Sequence, residues 1–181
     1  MTLKSFALFA ETDAEKRKHA EKFLQFSAFP QSSAIMVTGK TVNKQEVIIA
    51  MLVFENESAA INNAVYEVHK RLGVGLQESL YQEALAIELD YQCIPFEREK
   101  RYNVYYRGQR LDHYYFADFV CFDKIILEVK AVSQLTDQHK AQVRNYIGIA
   151  EKRLGLVYNF NEKFMTPVRI LNSNLRDFCG N

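Results

Sequence analysis

The sequence predicts an α/β domain built on a mixed sheet, and three observations carry that expectation. Apolar residues recur at helical spacing twice between Asn56 and Tyr91. Three β-prone runs follow between Tyr102 and Val132. A capped helical stretch from Thr136 then leads into two more apolar runs. The order helix, helix, three strands, helix, strand, strand places a crossover helix within a sheet, as α/β folds require.

Taken in order, the first signals are separate from the rest. Thr12 with Glu15 makes a capping box for a polar helix reaching about Phe26, and Pro30 with Ser32-Ser33 breaks it. Ala34–Val37 and Val47–Phe54, joined by polar residues around Gly39, Asn43 and Lys44, suggest a hairpin. From Asn56, the residues Ile61, Ala64, Val65, Val68 and Leu72 mark a helix with Asn56 or Ser58 as N-cap and Gly73 and Gly75 at its end. A second helix is expected from about Leu76 to Tyr91, with Pro95 after its exit. Tyr102, Val104 and Tyr106 begin the strands, Gly108 turns the chain, and further strands fall at about 113–121 and 125–132. Thr136-Asp137 caps a helix to about Arg153, and "LGLVYNF" and "PVRIL" close the series as strands.

Composition narrows the function classes. The chain of 181 residues is 48% hydrophobic and 25% charged, ordinary for a soluble globular domain with an appendage. Its longest apolar run, Val47 to Phe54, is under half of the roughly 20 residues that span a bilayer, so no membrane partner is expected. No secretory signal pattern is visible, and Cys93, Cys121 and Cys179 are scattered without metal-ligand spacing. A reduced, cytoplasmic setting is the expectation. Net charge is +1, so any surface for nucleic acid has to be local.

The chemistry concentrates in "DFVCFDKIILEVKAV", residues 118–132, where Asp118, Glu128 and Lys130 interrupt apolar β-prone runs. Burying such charges unpaired costs several kcal/mol, on the order of what a whole side chain contributes to stability. By alternation Glu128 and Lys130 share a face with Ile126 and Val132, and Asp118 shares one with Phe116, Val120 and Phe122. A three-residue loop, Phe122-Asp123-Lys124, would pair Cys121 with Ile125 and set Asp118 opposite Glu128. A two-residue loop, Asp123-Lys124, would put them on opposite faces. Side by side, the carboxylates repel unless one takes a proton or a hard divalent cation lies between them. Lys130 would then reach whatever the cation holds. The plainer alternative is a Glu–Lys pair on a solvent-facing strand. Glu78 falls at the edge of its helix's apolar arc beside Tyr81. It leans toward the core or, alternatively, complements the helix dipole from the first turn.

"GLQESLY", with Gly75, Glu78 and Tyr81, resembles the signature of the GxxExxY proteins, grouped with the PD-(D/E)XK nuclease superfamily. The resemblance runs from about Ser58 to Leu171 and takes in "VHKRLGVGLQESLYQEAL", the Asp118…Glu128-Val129-Lys130 set and "AQVRNY". It implies a restriction-endonuclease-like αβββαβ core, a mixed central sheet flanked by helices, over residues 56–175. Residues 1–55 would be an N-terminal helix and β-hairpin extension, packed beside the core or across a dimer interface and supplying no metal ligand. The resemblance further implies Glu78, Asp118 and Glu128 around Mg²⁺ or Mn²⁺, Lys130 in catalysis and Gln142 lining the site. The segment before Asp118, "LDHYYF", is bulkier than the glycine-containing family pattern.

Other residues carry weaker signals. Gln142 and Tyr146 lie one helical turn apart and can point at one site, although a glutamine on a helix is ordinarily solvated. His69, beside Val65 and Leu72, is a half-buried histidine by position, and the resemblance makes it, with Tyr81, a supporting residue behind the ligands. "KRYNVYYRGQR" offers Arg101, Arg107 and Arg110 with interleaved tyrosines for nucleic acid, and Arg144 joins them; tyrosine on an amphipathic strand also serves packing. "TGKT" at 38–41 lacks the glycine and loop of a phosphate-binding motif. The expected function is a metal-dependent nuclease acting on nucleic acid, DNA ahead of RNA. The competing expectation is a catalytically weak or inactive nucleic-acid- or protein-binding module on the same fold. Near-neutral charge and the bulky segment favour the second, and the complete Asp/Glu/Lys set favours the first.

Overall fold

The computed structural model describes residues 53–172. The helix expected from Thr12 to Phe26, the Ala34–Val37 strand and nearly all of the Val47–Phe54 run lie outside them. Helix α1 (Glu55–Leu72) and helix α2 (Glu78–Tyr91) come first. Then follow strands β1 (Phe96–Tyr106), β2 (Gln109–Cys121) and β3 (Ile125–Lys130), helix α3 (Asp137–Ile149), and strands β4 (Leu154–Asn159) and β5 (Val168–Leu171). The predicted order holds.

Three local expectations are corrected. Helix α1 is preceded by Phe54 in a left-handed conformation with no side-chain cap, so Asn56 and Ser58 lie inside the helix and Ser58 is buried. Strands β1 and β2 start earlier than the apolar pattern suggested, because Glu97, Arg98 and Lys100 pair with Val120, Phe119 and Ala117, and Gln109 and Arg110 pair with Tyr106 and Tyr105, so that the ladder rather than burial holds them. Helix α3 ends at Ile149, not near Arg153.

The five strands form one sheet in the order β1-β2-β3-β4-β5. Only β3 and β4 are parallel, joined by the α3 crossover; the other pairs are antiparallel. This α/β architecture is the restriction-endonuclease-like arrangement expected. Helices cover both faces. On one side Ile61, Val65, Tyr81, Leu85 and Leu89 of α1 and α2 pack on Phe119, Leu127, Val129, Leu156 and Tyr158. On the other, Val143 and Ile147 of α3 pack on Ala117, Val120, Ile126, Val157 and Ile170. A Cβ on Gly155 would collide with the Val143 side chain, so glycine lets α3 close onto β4. Among the described residues no helix is long and apolar enough to cross a membrane.

Strict alternation fails at one place in β2. Ala117 and Val120, three residues apart, pack in the same cluster under α3, while Phe119 and Cys121 pack under α1 and α2. The expectation that Asp118 shares a face with both Phe116 and Val120 is therefore corrected. The slip coincides with Glu99 on β1, which has φ 50° and interrupts the ladder between Arg98↔Phe119 and Lys100↔Ala117. A local break of this kind turns the strand and re-aims side chains. Asp118 sits at that break.

Candidate active site

Pairing of Cys121 with Ile125 selects the three-residue loop Phe122-Asp123-Lys124. Phe122 and Asp123 both take positive φ to make it. The β2–β3 ladder ends at Phe119↔Leu127, and the next position sets Asp118 across from Glu128. Side chains replace the ladder there. The Asp118 N–H donates to Glu128 Oε1 at 3.3 Å, and the Val129 N–H donates to Asp118 Oδ2 at 2.9 Å. Gln82, one turn beyond Glu78 on α2, lies close enough to the Asp118 carboxylate to oppose the rise in its pKa.

The electrostatics follow from burial. Glu128 is 1% exposed. Its removal from water, and then the adjacent Asp118 charge, push its carboxyl up to about 8 despite Lys130. Burial likewise raises Asp118, joined by the Glu78 charge and opposed by the Val129 N–H, Lys130 and Gln82. Lys130 Nζ lies 3.4 Å from Glu78 Oε1 and 3.5 Å from Glu128 Oε2. Burial alone would lower its pKa, but Glu128, Asp118 and Glu78 together hold it above the ordinary lysine value. The ammonium is charged at any physiological pH.

Glu78 reaches this cluster because the loop before it is latched. Gly73 and Gly75 adopt positive φ, and the Gly75 N–H donates to Asn161 Oδ1 at 2.9 Å. The buried Tyr81 hydroxyl donates to the Gly73 carbonyl at 2.7 Å and accepts from the Leu76 N–H at 3.2 Å. Its ring stacks on Phe160, with centroids 4.4 Å apart. His69 packs against the same Phe160, tilted, at 6.2 Å. The motif's tyrosine thus fixes a turn, and that turn starts α2 with Glu78 in its first residue. Both readings of Glu78 hold together: its carboxylate sits at the positive end of the helix and also meets Lys130.

Gln142 and Tyr146 do meet, Nε2 donating to the phenol oxygen at 2.6 Å. Tyr146 stacks on Tyr115 at 4.1 Å, Tyr115 stacks on Tyr102 at 5.5 Å, and the Tyr115 hydroxyl donates to the Tyr146 carbonyl. Burial, then the neighbouring Tyr102, Tyr146 and Glu128, raise the pKa of the Tyr115 phenol. Arg101 covers the Tyr114 ring at 4.0 Å, Arg107 lies over Tyr106, and Arg110 pairs with Tyr105 near the hairpin tip. Arg144 lies half-buried on α3. The structure brings together Glu78, Asp118, Glu128 and Lys130 and groups Gln142 with Tyr146; the hairpin arginines lie on β1 (Arg101), in the turn (Arg107) and on β2 (Arg110). Sequence reasoning missed Gln82 and Tyr115. The spacing of four from Glu78 was the available signal for Gln82. Nothing in the pattern marked Tyr115, because its facing depends on the break at Asp118.

Among the described residues no group of three or more His, Cys, Asp or Glu is arranged to hold a metal ion. Asp118 and Glu128 do supply hard oxygen donors on adjacent strands, and burial raises the pKa of both, with the Asp118 charge adding to the rise at Glu128. Such a pair suits a divalent cation that completes its shell with water. Glu78 is drawn to Lys130 instead.

Compared with protein families, residues 55–170 match the PD-(D/E)XK nuclease superfamily. Comparison with curated proteins and with solved structures returned no match.

Proposed function

The chain belongs to the PD-(D/E)XK nuclease superfamily, and from that premise we propose that it is a metal-dependent nuclease of the GxxExxY group that hydrolyses phosphodiester bonds in DNA. One observation carries the reading. Asp118, Glu128 and Lys130 are gathered where β2 and β3 part, in a position that packing alone would fill with apolar residues.

PD-(D/E)XK nucleases generally use divalent metals. Here Asp118 and Glu128 would hold Mg²⁺ or Mn²⁺, with Glu78 joining directly or through water. Bound there, the cation supplies Lewis-acid polarisation of a phosphate oxygen and a more acidic water. The chain's own residues do the rest. Lys130 offers a fixed positive charge to an oxygen that gains negative charge at the transition state. Glu78 and Glu128 keep that ammonium protonated and aimed. The Val129 N–H holds the Asp118 carboxylate in one orientation. Gln142, oriented by Tyr146, would position water or substrate.

A binding module on the same fold is the second reading, favoured by the contact of Lys130 with both Glu78 and Glu128, which satisfies those charges without a cation. Incubation with single- and double-stranded DNA and RNA in Mg²⁺, Mn²⁺ or EDTA, with Lys130→Ala alongside, separates the two. Cleavage of DNA that is lost in EDTA and in the variant supports the nuclease. Binding without cleavage under every condition supports the module.

A further inference from the structure

The distal part of the β1–β2 hairpin carries exposed aromatic and basic side chains on one face. Past Phe119↔Leu127, β2 no longer pairs with β3 and stands in the sheet with β1 alone. One face of this hairpin is committed, since Tyr102 and Tyr115 stack toward Tyr146 of α3. The opposite face carries Arg101 paired with Phe116 and Asn103 paired with Tyr114. Tyr114 is 50% exposed and Phe116 49%; their rings meet edge to face, centroids 5.5 Å apart, and Arg101 covers one face of Tyr114, leaving the other face and the Phe116 ring for a base. At the tip Tyr105 and Tyr106 are more exposed still.

Charge and position add to this. Between Lys100 and Phe116 the chain has Lys100, Arg101, Arg107 and Arg110 against Asp112 alone, in a protein whose net charge is +1. Phe116 precedes Asp118 by two residues. The Asp118 carboxylate lies near Gln82 of α2, so this face runs into the carboxylate cluster from the α2 side. We propose that the face bearing Arg101, Tyr114 and Phe116 seats single-stranded DNA and leads it to Asp118. This assignment of substrate form rests on the nuclease reading above.

Spacing distinguishes an unpaired strand from a duplex. Residues on one face of a strand recur about every 6.8 Å. Nucleotides of a base-paired strand rise roughly 3.4 Å each, with their bases turned inward. Neighbouring bases can therefore lie on Tyr114 and Phe116 only when the strand is unpaired and drawn out. Aromatic faces flanked by arginines provide the stacking and the phosphate contacts that such strands use.

The test is fluorescence anisotropy with the full chain in EDTA. The probes are a labelled oligothymidine of about 12 nucleotides, within the usual footprint of a stacking platform, an oligouridine of the same length, and a duplex. The oligothymidine should bind more tightly than the duplex. Phe116→Ala and Tyr114→Ala, at exposed positions, should each weaken oligothymidine binding about 5- to 150-fold with melting temperature unchanged, the range expected for losing one base–aromatic stack. Phe116→Trp should retain it. Arg107→Ala and Arg110→Ala should lower the salt dependence by about 0.7 each in log–log slope. Parent-like oligothymidine binding by both alanine variants, equal affinity for the duplex, or tighter binding of oligouridine would overturn the proposal. Ring-dependent binding by a protein that cleaves nothing removes the nuclease reading and leaves this seat standing. Cleavage by a parent whose binding ignores both rings does the reverse.

Discussion

Strands β3 and β4 lie side by side in parallel, paired from Ile125↔Leu154 to Lys130↔Asn159, and all six residues of each are buried. Their contents differ. β4 reads LGLVYN and ends in a neutral polar residue, Asn159, whose amide is satisfied: Nδ2 donates to the Val132 carbonyl and Oδ1 accepts the Val132 N–H. β3 reads IILEVK and ends in two ionisable groups whose charged partners among the described residues are each other, Glu78 and Asp118. Equal burial with unequal chemistry separates two purposes. β4 is built to be stable, whereas β3 carries charges that stability alone would not select.

Substitutions along the two strands should sharpen that contrast. The largest effect belongs to β3 and to activity: Lys130→Ala should lower metal-dependent cleavage about 10²–10³-fold, the range for losing one aimed charge at a developing anion. Single-turnover rates check this, and a parent-like rate would remove Lys130 from the chemistry. In β4, Gly155→Ala forces a methyl group into Val143 and should destabilise the fold by about 1–3 kcal/mol, equally in EDTA and in Mn²⁺. Chemical denaturation measures it. Tyr81→Phe keeps the ring on Phe160 and leaves the Gly73 carbonyl and Leu76 N–H without their partner. It should cost about 1–3 kcal/mol and, by loosening the start of α2, lower cleavage through Glu78.

The contrast also extends to pH dependence. The Glu128 carboxyl, raised from 4.5 to about 8, holds its proton more tightly in the folded chain. Its contribution to stability is whole below pH 4.5 and is lost as the pH climbs through about 8. Asp118, also raised, acts with the same sign. The metal-free protein should therefore melt at a lower temperature at pH 8.5 than at pH 5.5, a difference that Glu128→Gln reduces. A melting temperature that rises over this interval in EDTA would contradict the assigned environment.

The contrast between the strands was largely legible in the sequence. "IILEVK" and "LGLVYN" are short runs, dense in apolar residues, and strands covered on both faces by helices have that composition. The helices were legible from their spacing, and the motif around Glu78 was visible as a string. What stayed hidden depended on backbone conformations that residue type does not announce. Phe54, Glu99, Phe122 and Asp123 all take positive φ without being glycine. The first moved the start of α1, the second broke the alternation at Asp118, and the last two chose the loop that sets Asp118 across from Glu128. The start of β1 before Tyr102 was hidden because ladder pairing of Glu97, Arg98 and Lys100, not burial, holds them in the sheet. Asp118, Glu128 and Lys130 could be named in advance, and the turn that joins them could not.

The central claim is that Asp118 and Glu128 are placed together to hold a cation, and thermal melting of the parent and Glu128→Gln, each in EDTA and in millimolar Mn²⁺, tests it most directly. Glutamine keeps an oxygen for the Asp118 N–H and removes the charge that burial and Asp118 oppose. In EDTA the variant should be at least as stable as the parent. In Mn²⁺ the parent should gain about 2.7 kcal/mol when the metal is at a hundredfold excess over its dissociation constant, and the variant much less. If Glu128 is instead one half of a buried ion pair with Lys130, the outcome reverses. The variant would then lose roughly 3–5 kcal/mol in EDTA, and Mn²⁺ would shift neither protein.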